Sequence, residues 1–168
     1  MEHTTQWALG IDIGGSHLTA GWIDLTSNEL LKESYVRVRV NSKGTISEIM
    51  GTWSNTLATL ITSYPQFTPR LGFAMPGPFN YEDGISLIRG LDKYEALYKQ
   101  PIKALLAVHL NIDKSDIRMM NDAACFLKGE AMAGAARGYK HALGLTLGTG
   151  TGTATYHNGV TKDANLGP

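Results

Sequence analysis

The sequence predicts an α/β domain whose sheet has an antiparallel edge and a parallel centre. Three strand-like runs come first, at Ala8–Ile13, His17–Leu25 and Leu30–Val40, and short turns separate them. Helix-like and strand-like segments then alternate, which gives the order β-β-β-α-β-α-β-α. Hairpin turns join antiparallel strands, whereas strands joined through helices run parallel, so this order fits a mixed sheet.

Glycine and small polar residues define the first two turns. Gly14 and Gly15 separate the first two runs, and glycine supplies the positive φ angles that tight hairpin turns need. The segment Thr26–Asn28 separates the second run from the third. The opening of the chain is therefore predicted to be two successive hairpins.

A helix and a short strand follow. In "SKGTISEIMGTWSNTLATLITSY" apolar residues recur at three- and four-residue steps, which predicts an amphipathic helix that runs to about Tyr64. The segment "RLGFAMPGP" then predicts a short buried strand that leads into a loop of proline and glycine.

The second half predicts two more helices, a strand between them and a final hairpin. Ile102–Leu110 is helical in pattern, and Pro101 suits a first-turn position. "DIRMMND" predicts a short strand, and the alanine-rich helix after it is predicted to end at Gly138. "HALGLTLGTGTGTATYHNG" predicts a strand, a glycine-rich turn and another strand.

Composition narrows the classes of function. The 168 residues include 15 basic and 15 acidic side chains without a basic stripe, so no nucleic-acid partner is expected. The single cysteine, Cys125, excludes an internal disulfide and a thiolate-rich zinc site. The N-terminus lacks a signal core, and no run approaches the roughly 18 apolar residues of a membrane span. We therefore expect a cytoplasmic protein that has no membrane partner.

Asp12 stands at the end of the first strand, beside the glycine pair. As a hairpin turn, "DIGGS" needs no function. A carboxylate buried near the end of an apolar strand is costly without a partner, however, and a metal ion or a ring of donors would supply one. This stretch alone does not decide between a simple turn and a phosphate site.

A second glycine cluster, Gly148–Gly152, alternates bare backbone with threonine hydroxyls in "GTGTG". Exposed N–H groups in such a turn form a concavity for phosphate oxygens, and the hydroxyls add donors. The alternative is another hairpin turn. Neither the Walker A nor the Rossmann fingerprint fits, because the turn lies between two strands and no Gly-Lys-Ser/Thr is present.

Asn121 and Asp122 close the strand in "DIRMMND" and open the alanine-rich helix. Either residue could cap the helix N-terminus, or Asp122 could act as a base at the carboxyl edge of the sheet. The loop in "AMPGPF", which contains Gly77, follows another strand end, and as a turn it needs no function. Open α/β sheets bind ligands at such strand ends.

Taken together, four motifs resemble those of the ROK family (repressors, open reading frames and sugar kinases) of the actin-like, ribonuclease H-like ATPases. "DIGGSHLTAG" is similar to the first phosphate motif and "LGTGTGTA" to the second. "MPGPFNYEDG" resembles the sugar-side loop, and "NDAACFLKGE" resembles the Asn-Asp segment. The resemblance covers nearly the whole chain. It implies a ribonuclease H-like mixed sheet in which three antiparallel strands precede parallel strands with helices.

The resemblance implies ATP-dependent phosphorylation of a hexose or amino sugar, with ATP and Mg²⁺ as cofactors and without zinc. Asp122 would be the catalytic base, and Asp12 would help to hold Mg²⁺, through water or through the ion's other ligands. The residues implied to bind ATP phosphates are Asp12, Gly14, Gly15, Ser16, Gly148, Thr149, Gly150 and Thr151. Those implied to bind the sugar are Gly77, Asn121 and Asp122.

The resemblance also divides the chain into lobes. Residues 1–138 match an N-terminal lobe that includes the sugar-side loop, and residues 139–168 match the first strands of a second, nucleotide-binding lobe. The family's Glu-x-Gly-His sugar motif would fall near the end of the chain, where Asn165 and Pro168 replace Glu and His. We therefore expect a truncated chain that is inactive alone and whose uncovered apolar strands favour a homodimer.

Two alternatives to a kinase stay open at this point. The first is a non-catalytic sugar-sensing or regulatory ROK-like protein that acts through partner contacts. The second is an actin-like or chaperone-like ATPase that phosphorylates no sugar. The Asn121–Asp122 pair at a strand end favours a sugar kinase over the second alternative.

Overall fold

The structure, a computed structural model of the chain, describes residues 6–147 and 151–164. The chain divides into two compact units, unit 1 at Met1–Met119 and unit 2 at Met120–Pro168. The predicted boundary after residue 138 concerns the lobes of the fold family, and it stays a prediction.

The described helices and strands follow in chain order. Unit 1 contains strands β1 (Trp7–Ile13), β2 (His17–Asp24), β3 (Glu29–Leu30), β4 (Val36–Arg39), β5 (Leu71–Met75), β6 (Phe79–Asn80) and β7 (Ile85–Ser86). It also contains helices α1 (Ile46–Ser63) and α2 (Ile102–Leu110) and most of strand β8 (Ile117–Asn121). Unit 2 contains helix α3 (Asp122–Ala133) and strands β9 (His141–Leu147), β10 (Thr151–His157) and β11 (Val160–Asp163).

Unit 1 is built on a mixed sheet with the strand order β3-β2-β1-β5-β8, in which β4 also pairs with β2. Strands β1 and β2 are antiparallel, and Ile13 lies opposite Leu18 next to their turn. Strand β5 lies on the other side of β1 and runs parallel to it, with Leu9 opposite Leu71. The predicted mixed α/β sheet is confirmed.

The core of unit 1 follows from the alternation of residues along the strands and the apolar stripe of α1. Leu9, Ile11 and Ile13 of β1 point to one face and are buried, because successive strand residues point to opposite faces. Helix α1 adds five side chains to the same core: Ile49, Met50, Trp53, Leu57 and Leu60. This packing fixes the positions of the strand ends that carry the candidate site.

A capping box begins helix α1. The Thr45 hydroxyl accepts the N–H of Glu48 at 3.3 Å, and the Glu48 carboxylate accepts the N–H of Thr45 at 2.7 Å. The bond from the Thr45 N–H holds the pKa of Glu48 below its ordinary value of 4.5. Two N–H groups that would otherwise lack helical partners are satisfied in this way.

The capping box leads to a stability prediction. Thr45→Ala is expected to lower the free energy of unfolding by about 1 kcal/mol. Glu48→Gln is expected to remove the stabilisation of the folded state by the ionised carboxylate. That stabilisation has its full value at pH values above the ordinary pKa of a glutamate. That stabilisation fades as the pH falls through the lower pKa of the folded protein, since only the ionised carboxylate gains from folding. Urea unfolding at neutral and at acid pH measures both effects.

A threonine inside the same helix provides the control for this prediction. The Thr56 hydroxyl donates to the carbonyl of Thr52 at 2.8 Å. Thr56→Ala is expected to leave stability unchanged or to raise it slightly, because such back-bonding does not favour the helix. If Thr45→Ala and Thr56→Ala lowered the free energy of unfolding equally, the assignment of Thr45 as a stabilising N-cap would be wrong.

The prediction of one continuous third strand at Leu30–Val40 is wrong. The structure divides it into β3, a short 3₁₀ turn and β4. Ser34, which is buried within the 3₁₀ turn, causes the break. Its hydroxyl accepts the N–H of Trp22 at 2.7 Å and donates to the carbonyl of Leu31 at 2.7 Å. A side chain thus takes the place of a strand partner beside β2.

Unit 2 is a small α/β layer. Strands β9, β10 and β11 form an antiparallel sheet in the order β11-β10-β9. One face packs against α3 through a core of four buried residues, Ala123, Ala124, Leu127 and Ala154. Four apolar side chains of this sheet are exposed: Leu143, Leu145, Leu147 and Val160.

Unit 2 differs from the predictions in the end of one helix and in one additional strand. Helix α3 ends at Ala133 and not at Gly138. The Glu130 carboxylate accepts the N–H of Ala135 at 2.7 Å and closes the turn early. Strand β11 was not predicted, although Asn158-Gly159 before it is the strongest short hairpin signal. Both turn residues have positive φ, 47° and 90°.

Among the helices that the structure describes, none has the length and apolar character needed to cross a bilayer.

Candidate active site

The β1–β2 connection is a tight hairpin turn formed by Gly14, Gly15 and Ser16. The N–H of Gly14 donates to the carbonyl of His17 at 2.9 Å and closes the turn. The Ser16 carbonyl accepts the N–H of Val40 at 2.8 Å, which ties the turn to the end of β4. The predicted hairpin is confirmed.

The hydrogen bond from Gly14 to His17 limits which N–H groups of the turn are available to bind an anion. The N–H of Gly14 is engaged with His17, so Gly14 can assist a phosphate chiefly by having no side chain. Within the described residues, no backbone acceptor takes the N–H of Gly15 or Ser16. Consecutive N–H groups in a turn of this kind form an anion-binding concavity.

Asp12 lies just before this turn, opposite Thr19 of β2 and Ala74 of β5. Its side chain is exposed. The assumption that this carboxylate is buried is therefore wrong, because Ile11 and Ile13 take the inward positions and Asp12 faces the other way. The carboxylate lies in a place that a hydrated cation can reach.

The donor set fits Mg²⁺ bound together with phosphate. The part of the chain that the structure describes contains no cluster of three or more His, Cys, Asp or Glu that could hold a metal ion by itself. Mg²⁺ usually keeps several waters and takes one or two carboxylates plus substrate phosphates. A single hard oxygen donor at Asp12, beside a turn whose Gly15 and Ser16 N–H groups have no backbone acceptor among the described residues, matches that pattern.

Tyr94 contacts the glycine turn, and the sequence analysis did not identify it. Its hydroxyl donates to the carbonyl of Gly14 at 2.6 Å. Its ring packs edge-on against Trp53, with centroids 5.6 Å apart, and the residue is 0% exposed. Burial, and secondly the negative charge of Asp12, raises the pKa of Tyr94, so the phenol stays a neutral donor.

The backbone of Tyr94 is also unusual. It lies in the left-handed region at φ 56°, just before a 3₁₀ turn at Glu95–Leu97. Such a conformation costs an L-residue about 1–2 kcal/mol, so the surrounding structure must hold it in place. The N–H of Tyr94 donates to the carbonyl of Ser42 at 2.6 Å. No sequence motif marks this residue, because Gly14 and Tyr94 are 80 positions apart.

Gly77 lies in the loop after β5, at the sheet edge where β1 also ends. Strands β1 and β5 are parallel with Asp12 opposite Ala74, so their carboxyl ends meet at one edge. The Tyr81 hydroxyl donates to the carbonyl of Met75 at 3.2 Å and ties the loop to the strand end. Unit 1 thus brings Gly77 and Asp12 to the same edge of its sheet.

In unit 2, Asn121 and Asp122 form the start of α3. The Asn121 side-chain oxygen accepts the N–H of Ala124 at 3.0 Å, so Asn121 is the N-cap. Asp122 is the first helical residue, and one of its carboxylate oxygens accepts the N–H of Ala123 at 2.9 Å. The capping hypothesis is confirmed for Asn121. The role of Asp122 as a base stays a prediction.

Strand β10, which follows the second glycine cluster in the chain, approaches this helix start. Residues 148–150, on which the Gly148, Thr149 and Gly150 predictions fall, lie outside the described residues. Thr151 begins β10 and is exposed. A Cβ atom on Gly152 would lie 2.9 Å from the Cβ of Ala123. The first residues of β10 therefore pack against the first turn of α3, next to Asp122.

Two glycines of unit 2 are expected to respond oppositely to alanine. A Cβ on Gly152 would also lie 2.5 Å from the Thr146 hydroxyl oxygen, so Gly152→Ala is expected to lower the free energy of unfolding by about 1–3 kcal/mol. Gly129→Ala, inside α3 with nothing within 4 Å of its Cβ, is expected to raise it by up to about 1 kcal/mol.

Thermal unfolding followed by circular dichroism measures both changes in unit 2. Both variants replace glycine by alanine and add one methyl group, so a difference between their stabilities reports the surroundings of the two positions. A Gly152→Ala variant as stable as Gly129→Ala would mean that β10 does not approach Ala123 as closely as the structure indicates.

The fold and the residues at its strand ends identify the class of protein. The mixed sheet of unit 1 has the ribonuclease H-like fold of the actin-like ATPases, with an exposed Asp and a glycine turn after its first strand. The sequence model of the ROK family matches residues 8–165. The chain belongs to the ROK family, as the four motifs predicted.

Individual relatives agree with this assignment. The chain is 28% identical over 151 residues to a glucokinase of Thermotoga maritima, which covers 90% of the chain and 44% of the relative. It is 30% identical over 161 residues to an N-acetyl-D-glucosamine kinase of Haemophilus influenzae, which covers 94% and 48%. The chain thus spans about half the length of the curated relatives it matches.

A solved structure shares the fold. The inorganic polyphosphate/ATP-glucomannokinase from Arthrobacter sp. strain KM matches with a TM-score of 0.78 and 26% identity. The match covers 94% of this chain and 61% of the glucomannokinase chain.

Proposed function

We propose that the protein transfers the γ-phosphoryl group of ATP to a hydroxyl of a hexose or amino sugar. The curated relatives at 28% and 30% identity are a glucokinase and an N-acetyl-D-glucosamine kinase, which supports this substrate class. The observation that carries the proposal is the packing of Gly152 on Ala123. It joins the end of a candidate phosphate turn to the helix turn that bears a candidate base, within one compact unit.

In unit 2, Asp122 is the proposed acceptor of the proton from the sugar hydroxyl. A carboxylate that is ionised at neutral pH is a weak base. Its contribution is to align the hydroxyl and to take the proton late in the transfer. Asn121, whose oxygen caps α3, directs its amide N–H₂ toward sugar hydroxyl oxygens in this proposal.

In unit 1, the proposal assigns Asp12 to Mg²⁺ and the N–H groups of Gly15 and Ser16 to ATP phosphates. Gly77 takes the sugar side, at the same sheet edge as Asp12. Mg²⁺, when bound, neutralises charge on the phosphate oxygens. Phosphoryl transfer suits such a site, because positioning and charge neutralisation supply most of the catalysis.

Thermal unfolding of the chain with single ligands tests the proposal. A ligand that binds only the folded state must stabilise it, by about 2.7 kcal/mol at a hundred times its dissociation constant. We expect stabilisation by Mg·AMPPNP, a non-hydrolysable ATP analogue, and by glucose or N-acetylglucosamine. Asp12→Asn is the matched variant, and it is expected to weaken the effect of the nucleotide and to leave that of the sugar.

The regulatory alternative has a different outcome in the same experiment. A sugar sensor would be stabilised by sugar and unaffected by Mg·AMPPNP. Stabilisation of the chain by sugar without any stabilisation by Mg·AMPPNP would therefore overturn the kinase proposal in favour of a binding role.

A further inference from the structure

The Gly14–Gly15 pair poses a geometric problem for a phosphate site. Glycine lets the backbone approach an anion closely, but a peptide plane between two glycines rotates with little steric resistance. A rotated plane would turn the Gly15 N–H away from phosphate. The bond from the Gly14 N–H to His17 constrains only the preceding plane, so a second contact is needed to fix this one.

The Tyr94 hydroxyl makes that second contact. It donates to the Gly14 carbonyl at 2.6 Å from a fully buried side chain. In a trans peptide the carbonyl of one residue and the N–H of the next point in opposite directions. A Gly14 carbonyl that is held toward the buried hydroxyl therefore directs the Gly15 N–H away from the core.

We propose that Tyr94 is a positioning residue that orients the Gly14–Gly15 peptide so that the Gly15 N–H faces the phosphates of bound ATP. This inference rests on the proposed function, since it presupposes that the turn holds phosphate. Tyr94 acts through the backbone of the turn and does not itself contact the nucleotide.

The surroundings of Tyr94 separate the role of its ring from that of its hydroxyl. The ring packs against Trp53, and the left-handed backbone is tied to Ser42 by the Tyr94 N–H. A phenylalanine could make both of these contacts and fill the same core volume. The hydroxyl alone makes the bond to the Gly14 carbonyl, so the hydroxyl is the group whose removal is informative.

Tyr94→Phe in the whole chain tests the inference, with Tyr98→Phe as the control. Tyr98 is a half-buried tyrosine of the same segment, and its ring lies 5.4 Å from the Arg89 guanidinium. Without ligand, the ¹H–¹⁵N heteronuclear NOE of the Gly15 amide is expected to fall in Tyr94→Phe only. The dissociation constant of Mg·AMPPNP, measured by calorimetry, is expected to rise about three- to tenfold, as for one lost hydrogen bond.

The outcomes distinguish this inference from the proposed function. If the unaltered chain does not bind Mg·AMPPNP, the phosphate role of the turn fails and the inference fails with it. If the unaltered chain and Tyr94→Phe bind equally well, with equal NOE values at Gly15, only the inference is overturned. Loss of folding in Tyr94→Phe, read by circular dichroism, would also overturn it, because the hydroxyl would then serve stability and not orientation.

Discussion

Asp122→Asn is expected to lower sugar-dependent phosphorylation about 10²–10⁴-fold in the protein as its source cells make it, the usual contribution of a positioned general base. Asparagine retains an oxygen that can accept the N–H of Ala123, as Asp122 does at 2.9 Å. The first turn of α3 therefore keeps its geometry, while the group that accepts the proton is lost. Release of ADP, measured with and without sugar, gives the rate.

A nearby aspartate serves as the control for this experiment. Asp116 lies in the short 3₁₀ turn before β8, and Asp116→Asn removes the same charge outside the candidate site. It is expected to leave the rate within about twofold, because the half-buried Asp116 lies outside the candidate site and substitutions away from special features have small effects. An Asp122→Asn protein that phosphorylates sugar as fast as Asp116→Asn would remove Asp122 from the mechanism.

Trp22→Ala is expected to lower the free energy of unfolding of unit 1 by about 3–5 kcal/mol. Trp22 is 0% exposed in β2, and its ring packs edge-on against Phe67 with centroids 5.0 Å apart. Its indole N–H donates to the carbonyl of Leu60 at 3.4 Å. The substitution leaves a cavity beside β2, the strand that forms one side of the glycine turn.

Fluorescence in urea measures this loss directly. The chain has three tryptophans, and Trp7, Trp22 and Trp53 all lie in unit 1, so two of them still report its unfolding. Trp22→Phe keeps an aromatic ring and is expected to cost less than Trp22→Ala, because the remaining cavity is smaller. A loss below about 1 kcal/mol for Trp22→Ala would mean that the residue is not buried as described.

The sequence predicted those parts of the fold that depend on local pattern. The alternation of Ala8–Ile13 fixed β1, and the three- and four-residue apolar steps fixed α1, which ends at Ser63. The Gly14–Gly15 turn was predicted because tight hairpins require glycine. Asn121 and Asp122 were both candidate caps of α3, and the bond from the N–H of Ala124 to the Asn121 side-chain oxygen identifies Asn121 as the N-cap.

The features that sequence could not predict depend on contacts between distant residues. The bond from Tyr94 to Gly14 joins residues 80 positions apart, and no spacing rule connects them. The break in the third strand depends on Ser34 bonding to Trp22, which requires the sheet to be known. The exposure of Asp12 could have been predicted, since Ile11 and Ile13 already fill the inward positions of β1.

Amide NMR of the 168-residue chain, titrated with Mg·AMPPNP and then with sugar, tests the central claim most directly. The claim is that the β1–β2 turn binds phosphate and that the start of α3 binds the sugar hydroxyl. Saturable shifts are expected at Gly15 and Ser16 with the nucleotide, and at Asp122 and Ala123 with the sugar. Unchanged amides at both places, at ligand concentrations that alter other residues, would contradict both assignments.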